Sequence, residues 1–148
     1  MKKLKGFTLI ELLIVIAIVA ILSGVVLIAV NPARQMAQAR NAERSAEVNA
    51  ILNAISQYQV DNQALPDCIA TASASIGTGG CDLSATDLLA AVSGNQAIVP
   101  GYIAEIPIGP GSACDAADTC YTVAKTPTDR VTVAAPGAEL GVTISVTR

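Results

Sequence analysis

Hydrophobic residues are crowded together at the start of the chain and become regularly spaced after it. Twenty of the 24 residues in 7–30 are apolar, and no charged residue lies between Glu11 and Arg34. A helix of the 22 residues between these two charges is about 33 Å long at ~1.5 Å per residue, which is enough to cross the hydrocarbon core of a bilayer. The pattern therefore predicts a membrane-spanning helix over residues 7–31.

After this segment the pattern becomes that of an exposed amphipathic helix. Asn31-Pro32 and Gly24 predict a kink or a fresh helix start between Ser23 and Pro32. Apolar residues then recur at helical spacing and predict a stripe that packs against the chain's own domain: Val48, Ile51, Leu52, Ile55 and Tyr58. Charged residues at i,i+3 and i,i+4 spacing predict ion pairs on the polar side, with subunit contact in a polymer as the alternative role: Arg40, Glu43, Arg44 and Glu47.

The rest of the chain predicts loops, one short helix and a small sheet. Leu65-Pro66-Asp67 ends the long helix, residues 67–82 predict a loop, and a short helix is expected over Ser84–Val92, with Gly94 as its stop. Four closely spaced β segments favour an antiparallel meander: Tyr102–Ile106, Cys120–Ala124, Arg130–Ala134 and Val142–Val146. The predicted fold class is α+β, with a long N-terminal helix, membrane-spanning in its first half, packed on a small antiparallel sheet domain like the stick of a lollipop.

Composition and charge argue against several classes of function. The chain has no histidine, which excludes Ser-His-Asp and Cys-His catalytic pairs and imidazole metal ligands. Net charge is −3, only three basic residues follow Arg44, and aromatic residues make up 3%, so nucleic acid is a poor partner for the soluble part. The glycine-rich run Gly77–Gly80 follows no predicted strand and is a poor phosphate cradle. We therefore expect a protein that is not an enzyme and needs no cofactor.

Four cysteines, all after the apolar segment, predict disulfides: Cys68, Cys81, Cys114 and Cys120. Three connectivities are possible, and we favour Cys68–Cys81 with Cys114–Cys120 because each pair brackets one Gly/Asp-rich loop. Disulfides imply an oxidising, exported compartment, with a metal site or free thiols as the less favoured alternatives. Asp115 and Asp118 are weak calcium candidates because Ca²⁺ takes six to eight oxygen ligands, so no metal is expected.

The first thirteen residues also carry a specific motif. Lys2-Lys3-Leu4-Lys5-Gly6 is followed without a gap by Phe7-Thr8-Leu9-Ile10-Glu11-Leu12-Leu13. This order resembles the class III leader and N-terminal helix of type IV pilins and type II secretion pseudopilins. One feature departs from the family, because many pilins carry a proline inside the apolar segment where this chain has Ile28. An ordinary secretory signal is the less favoured alternative, since the apolar stretch of such a signal is ~7–15 residues long, shorter than the apolar run of this chain.

The resemblance implies how the protein is processed and what it does. A prepilin peptidase would cut after Gly6 and methylate Phe7, dividing the chain into a leader at 1–6, a transmembrane and filament-core segment at 7–31, and a soluble head at 32–148. The mature subunit would polymerise with itself into a type IV pilus-like filament for adhesion, motility or DNA uptake. The alternative is a pseudopilin in a periplasmic pseudopilus for protein export. A membrane-anchored enzyme or binding module is a third, disfavoured reading.

The same resemblance implies partners and a location. It predicts a precursor that crosses the inner, cytoplasmic membrane once before joining an extracellular filament, and a membrane assembly platform driven by a motor ATPase. The positive-inside rule favours a cytoplasmic N-terminus only weakly, because three lysines precede the apolar segment and Arg34, Arg40 and Arg44 follow it.

Glu11 is the one charge inside the predicted filament-core segment, and an intramembrane acid calls for a reason. We expect Glu11 to pair with the N-terminal amine of Phe7 on a neighbouring subunit, because that amine is largely cationic at pH 7. Such a pair in a low-dielectric core would set the register between subunits. The alternative is that Glu11 lies near the membrane interface, where the positive end of the helix dipole tolerates an anion.

Overall fold

The computed structural model describes residues 6–84, 97–111 and 113–148. The chain divides into two compact units, Met1–Met36 and Ala37–Arg148. The helix predicted to follow Ser84 lies outside the described residues.

Helix α1 spans Leu9–Ala29 and lies entirely in the first unit. It begins at Thr8, whose side chain caps the first turn, and it ends at Val30, which has extended backbone angles. Helix α2 then begins at Pro32, where the side chain of Asn31 accepts a hydrogen bond from the Arg34 amide at 3.2 Å. The predicted interruption of the helix is therefore confirmed, and it falls at Val30 and Asn31.

Helix α2 spans Pro32–Asn62, as the polar composition and the apolar stripe predicted. All five stripe residues are fully buried, with 0% exposure. In the second unit they pack in one core with side chains from the sheet, such as Val123 and Val133, and from the segment 76–83, such as Ile76 and Leu83. The prediction that this stripe packs against the chain's own domain is confirmed.

The sheet has four antiparallel strands in the order β1-β2-β3-β4. The strands are β1 Ala74–Ser75, β2 Thr122–Lys125, β3 Val131–Ala135 and β4 Ile144–Thr147. Buried and half-buried residues alternate along β3, so that Val131, Val133 and Ala135 face the core. The last three predicted strands are confirmed to within two residues at each end.

The strand predicted over Tyr102–Ile106 is wrong. This segment follows the short helix α3, Ile98–Gly101, and is irregular, although its apolar side chains still pack partly buried against the core. The place beside β2 is taken by β1, inside the region that the sequence predicted as a loop. The neighbouring Ile76 is fully buried, and its amide donates to the Tyr121 carbonyl at 2.8 Å.

The predicted ion pairs along α2 are also wrong. Arg40 and Arg44 both bind Glu139, in the connection between β3 and β4, at N–O distances of 2.6 and 3.1 Å. The Glu47 carboxylate accepts a hydrogen bond from the buried hydroxyl of Tyr121. These side chains tie the helix to the sheet and its loops because partners on a packed neighbour are held in place, whereas exposed i,i+4 pairs gain little.

Candidate assembly and processing site

Helix α1, in the first unit, has an exposed apolar surface. Thirteen large apolar side chains between Leu9 and Val26 are each 51–79% exposed. The window Leu9–Val26 is long and apolar enough to cross a membrane by length and composition, a test that a signal sequence also passes. Because apolar side chains point in every direction around the helix, its surface requires a cover of lipid or of other apolar helices.

The predicted processing residues lie directly before this helix. Gly6 is exposed, and a Cβ atom built on it would meet nothing within 4 Å. Phe7 follows and is 87% exposed. The peptide bond between them therefore lies in an open, non-helical segment, which is the geometry that a peptidase requires.

Glu11 lies in the first turn of α1 and forms a capping box with Thr8. Its Oε2 atom accepts hydrogen bonds from the Thr8 amide and hydroxyl, both at 2.8 Å, and the Glu11 amide donates to Thr8 Oγ1 at 3.3 Å. This capping role was not predicted, although the Thr-x-x-Glu spacing of Thr8 and Glu11 is the usual sequence sign of such a box. Within the described part of the chain, the second oxygen, Oε1, accepts no hydrogen bond.

The two disulfides of the head join the pairs that the sequence favoured, Cys68 with Cys81 and Cys114 with Cys120. The two loops that they close also pack against each other. The amides of Thr78 and Gly79 donate to the carbonyls of Ala116 and Ala117, each at 3.0 Å.

Gly77 permits this close approach of the two disulfide loops. Its φ is +145°, and a Cβ atom there would lie 2.5 Å from the Ala117 carbonyl oxygen. The loops therefore behave as one structure, and their contact depends on a glycine at this position.

In the described part of these two loops, the backbone amides of the glycine-rich run and one oxygen of each aspartate are already used inside the protein. The backbone amides of residues 77–80 all donate within the protein, so they do not converge on a phosphate. Asp115 accepts hydrogen bonds from the Ala117 and Asp118 amides, and Asp118 accepts one from the Cys120 amide. Within the described residues, no three His, Cys, Asp or Glu side chains are grouped to hold a metal ion.

Comparison with known proteins bears on the N-terminal segment. Residues 1–27 match the family model of the prokaryotic N-terminal methylation motif. No curated protein and no solved structure matches the chain significantly. The matched residues include Gly6, Phe7 and Glu11, and the motif indicates a structural subunit and processing by prepilin peptidase. The chain thus carries, at its N-terminus, the class III leader and methylation motif that are the signature of type IV pilins and pseudopilins.

Proposed function

We propose that this protein is a pilin, made as a membrane-inserted precursor and polymerised into a type IV pilus-like filament. The observation that carries the proposal is α1, a helix with an apolar surface on all sides that lies largely within the methylation motif at residues 1–27. Its head has a separate core, built from residues of α2, the sheet, the loop closed by Cys68–Cys81 and the segment around Ile98. Such a helix is equally stable in lipid and in the dry centre of a bundle of identical helices, so exchange between the two changes little hydrophobic free energy.

Glu11 gives such a bundle its register. A purely apolar helix can slide along its neighbours, because each offset buries nearly the same surface. The proposed pair joins Glu11 of one subunit to the methylated amine of Phe7 on the next, and it is satisfied at one offset only. The capping box supports this role, since it uses Oε2 and leaves Oε1 open to a neighbour.

The same motif serves pseudopilins, so a periplasmic pseudopilus is the alternative filament. The Ser/Thr/Gly-rich loop at residues 67–82 and the presence of two disulfide-closed loops favour an exposed, extracellular filament. A motor ATPase and a membrane assembly platform are the further partners that the proposal requires.

Three variants test the pairing, with filament yield and N-terminal processing as the readouts. Glu11→Val removes the charge and the cap. Glu11→Gln removes the charge and keeps a side chain that serves in capping boxes. Thr8→Ala keeps the charge and removes the cap. We expect all three proteins to be cleaved after Gly6, methylated and retained in the membrane, and only Thr8→Ala to form filaments.

The filaments are counted by electron microscopy of sheared cell surfaces, with a strain that lacks the protein as control. Normal filaments from both Glu11 variants contradict the pairing. Filament subunits that retain Met1–Gly6 contradict the assignment of the leader. A secretion defect without surface filaments favours the pseudopilus.

A further inference from the structure

The connection between β3 and β4, residues 136–143, is held to α2 by a partly buried polar cluster. Both Glu139 oxygens accept from Arg40, Oε1 from Nε and Oε2 from Nη2, each at 2.6 Å, and Oε1 also accepts from Arg44 Nη1 at 3.1 Å. The two guanidinium groups hold the pKa of Glu139 at about 2. The carboxylate therefore stays charged, and the cluster stays intact, at any physiological pH.

The backbone of the connection is held as firmly as its side chain. Asn41 Nδ2 donates to the Glu139 carbonyl at 2.8 Å, and Asn41 Oδ1 accepts from the Glu139 amide at 2.9 Å. Arg44 also donates to the Pro110 carbonyl at 2.9 Å. Asn41 and Arg44 are only 9% and 8% exposed, so two buried side chains of the helix hold the connection through partly buried hydrogen bonds.

The next residues of the connection adopt a strained backbone conformation. Leu140 has φ +59° and Gly141 has φ +69°, so a bulky leucine occupies the left-handed region that suits glycine. Burial within the domain covers only about half of the side chains concerned, because Leu140 and Val142 are each 51% exposed. The connection thus holds two aliphatic side chains out into solvent on a rigid, strained turn, which is a pattern found at contact sites.

We propose that Leu140 and Val142, here called the apolar knob, contact a second copy of this chain in the assembled filament. The inference rests on the proposed function. Asn41, which holds the knob, follows Pro32 by only nine residues, so the knob is fixed to the part of α2 that comes soon after the filament-core segment. Packed helices lie ~8–10 Å apart, which brings a neighbouring copy close to this part of the chain.

The surface beside the knob suits the approach of another chain. A groove of about 350 Å³ lies between β4 and α2, and the helix contributes the small side chains of Ala42 and Ser45 to it. β4 is the last strand of the sheet, and its residues line this groove together with Val142 of the knob, so the knob forms one end of the groove. The contact is of the heterologous kind, in which the knob of one copy meets a different surface of the next, and repeated contacts of this kind build a helical filament.

The two side chains of the knob alone would bind two free heads only weakly. Once the α1 helices hold neighbouring copies together, the effective concentration of the heads is high and the same contact forms. Leu140→Gly separates this role from a role in folding. Glycine adopts a φ of +59° without steric strain. If Leu140 served only the stability of its own domain, glycine would therefore be the better residue at this position. We expect the full-length variant to unfold at the same or a higher urea concentration, and its filament yield to fall at least about tenfold, as expected for the loss of one buried leucine contact.

The matched control is Val60→Ala, which shortens an aliphatic side chain on α2 that is 77% exposed and lies away from the knob. We expect it to leave filament yield unchanged. A photo-crosslinking amino acid at position 140 should link neighbouring subunits in filaments, and the same group at position 60 should not.

Three results overturn the inference. Wild-type yield from Leu140→Gly, or no crosslink from position 140, shows that the knob is not an interface while the proposed function stands. A lower unfolding midpoint for Leu140→Gly shows that the leucine supports its own domain. A wild-type strain without any filament containing this protein overturns the proposed function and this inference together.

Discussion

The two disulfides should contribute unequally to the stability of the head, and replacing each pair with alanine tests this. One variant carries Cys68→Ala with Cys81→Ala, and the other carries Cys114→Ala with Cys120→Ala. Each removes one bridge and leaves the other in place. Comparing two double variants avoids leaving a single reactive thiol, which would exchange with the remaining bridge.

The sequence separations of 13 and 6 residues set the entropic part of the difference, which is about 3 kcal/mol for the first bridge and about 2.4 kcal/mol for the second in the chain-entropy treatment. Burial adds to it. Cys81 is 1% exposed and belongs to the core, whereas Cys114 and Cys120 are half-buried. Truncating the buried sulfur leaves a small cavity that costs roughly a further 1 kcal/mol. We therefore expect losses of about 4 and about 2.4 kcal/mol.

The measurement is urea unfolding of the full-length protein in detergent, followed by the near-ultraviolet signal of its three tyrosines. Peptide mapping without reductant gives the connectivity of the wild-type protein in the same preparation. Equal losses, or a larger loss for the Cys114 and Cys120 variant, would refute the reasoning from loop length and burial. A peptide that links Cys68 to Cys114 or Cys120 would refute the connectivity itself.

Two further predictions concern contacts that hold the loops of the head. The pKa of Glu139 falls from 4.5 to about 2 on folding. The stability that the Glu139 carboxylate adds to the head is therefore complete above pH 4.5 and is lost as the pH falls toward 2. Urea unfolding at several pH values should show a weaker acid dependence for Glu139→Gln than for wild type. Gly77→Ala should destabilise the head, because its Cβ would lie 2.5 Å from the Ala117 oxygen at a φ of +145°, and an unchanged unfolding midpoint in urea would contradict the role given to this glycine.

The sequence was most informative where a pattern repeats. The apolar run of α1 and the stripe on α2 each give many residues that agree, so both helices and the fold class were predictable. The methylation motif was readable for the same reason, since the eight residues Gly6–Leu13 carry it without a gap and the family match spans residues 1–27. The break between the helices was signalled by Asn31-Pro32, which both caps and starts α2.

The sequence was least informative where a distant partner decides the structure. Ala74 and Ser75 form a strand because they lie next to β2, forty-eight positions further on, and two residues give no periodicity to detect. Tyr102–Ile106 has a strand-like composition but covers the core without pairing. Arg40 and Arg44 have acidic neighbours at helical spacing, yet both bind Glu139, more than ninety residues away. The local sequence pattern does not show whether a side chain or strand will pair with a distant partner or with a nearby one.

The exposed surface of α1 also constrains how a subunit can enter a filament. Thirteen large apolar side chains at ~1.5–3 kcal/mol each make immersion of the bare helix in water unfavourable by roughly 20–40 kcal/mol. A subunit in the proposed filament must therefore move from lipid to the helical bundle without passing through water, which confines growth to the end of the filament that lies at the membrane. The head can fold and close its disulfides before this step, because its core is built from residues of its own unit. In the proposed assembly, a motor lifts the folded head outward while the apolar helix exchanges one dry environment for another.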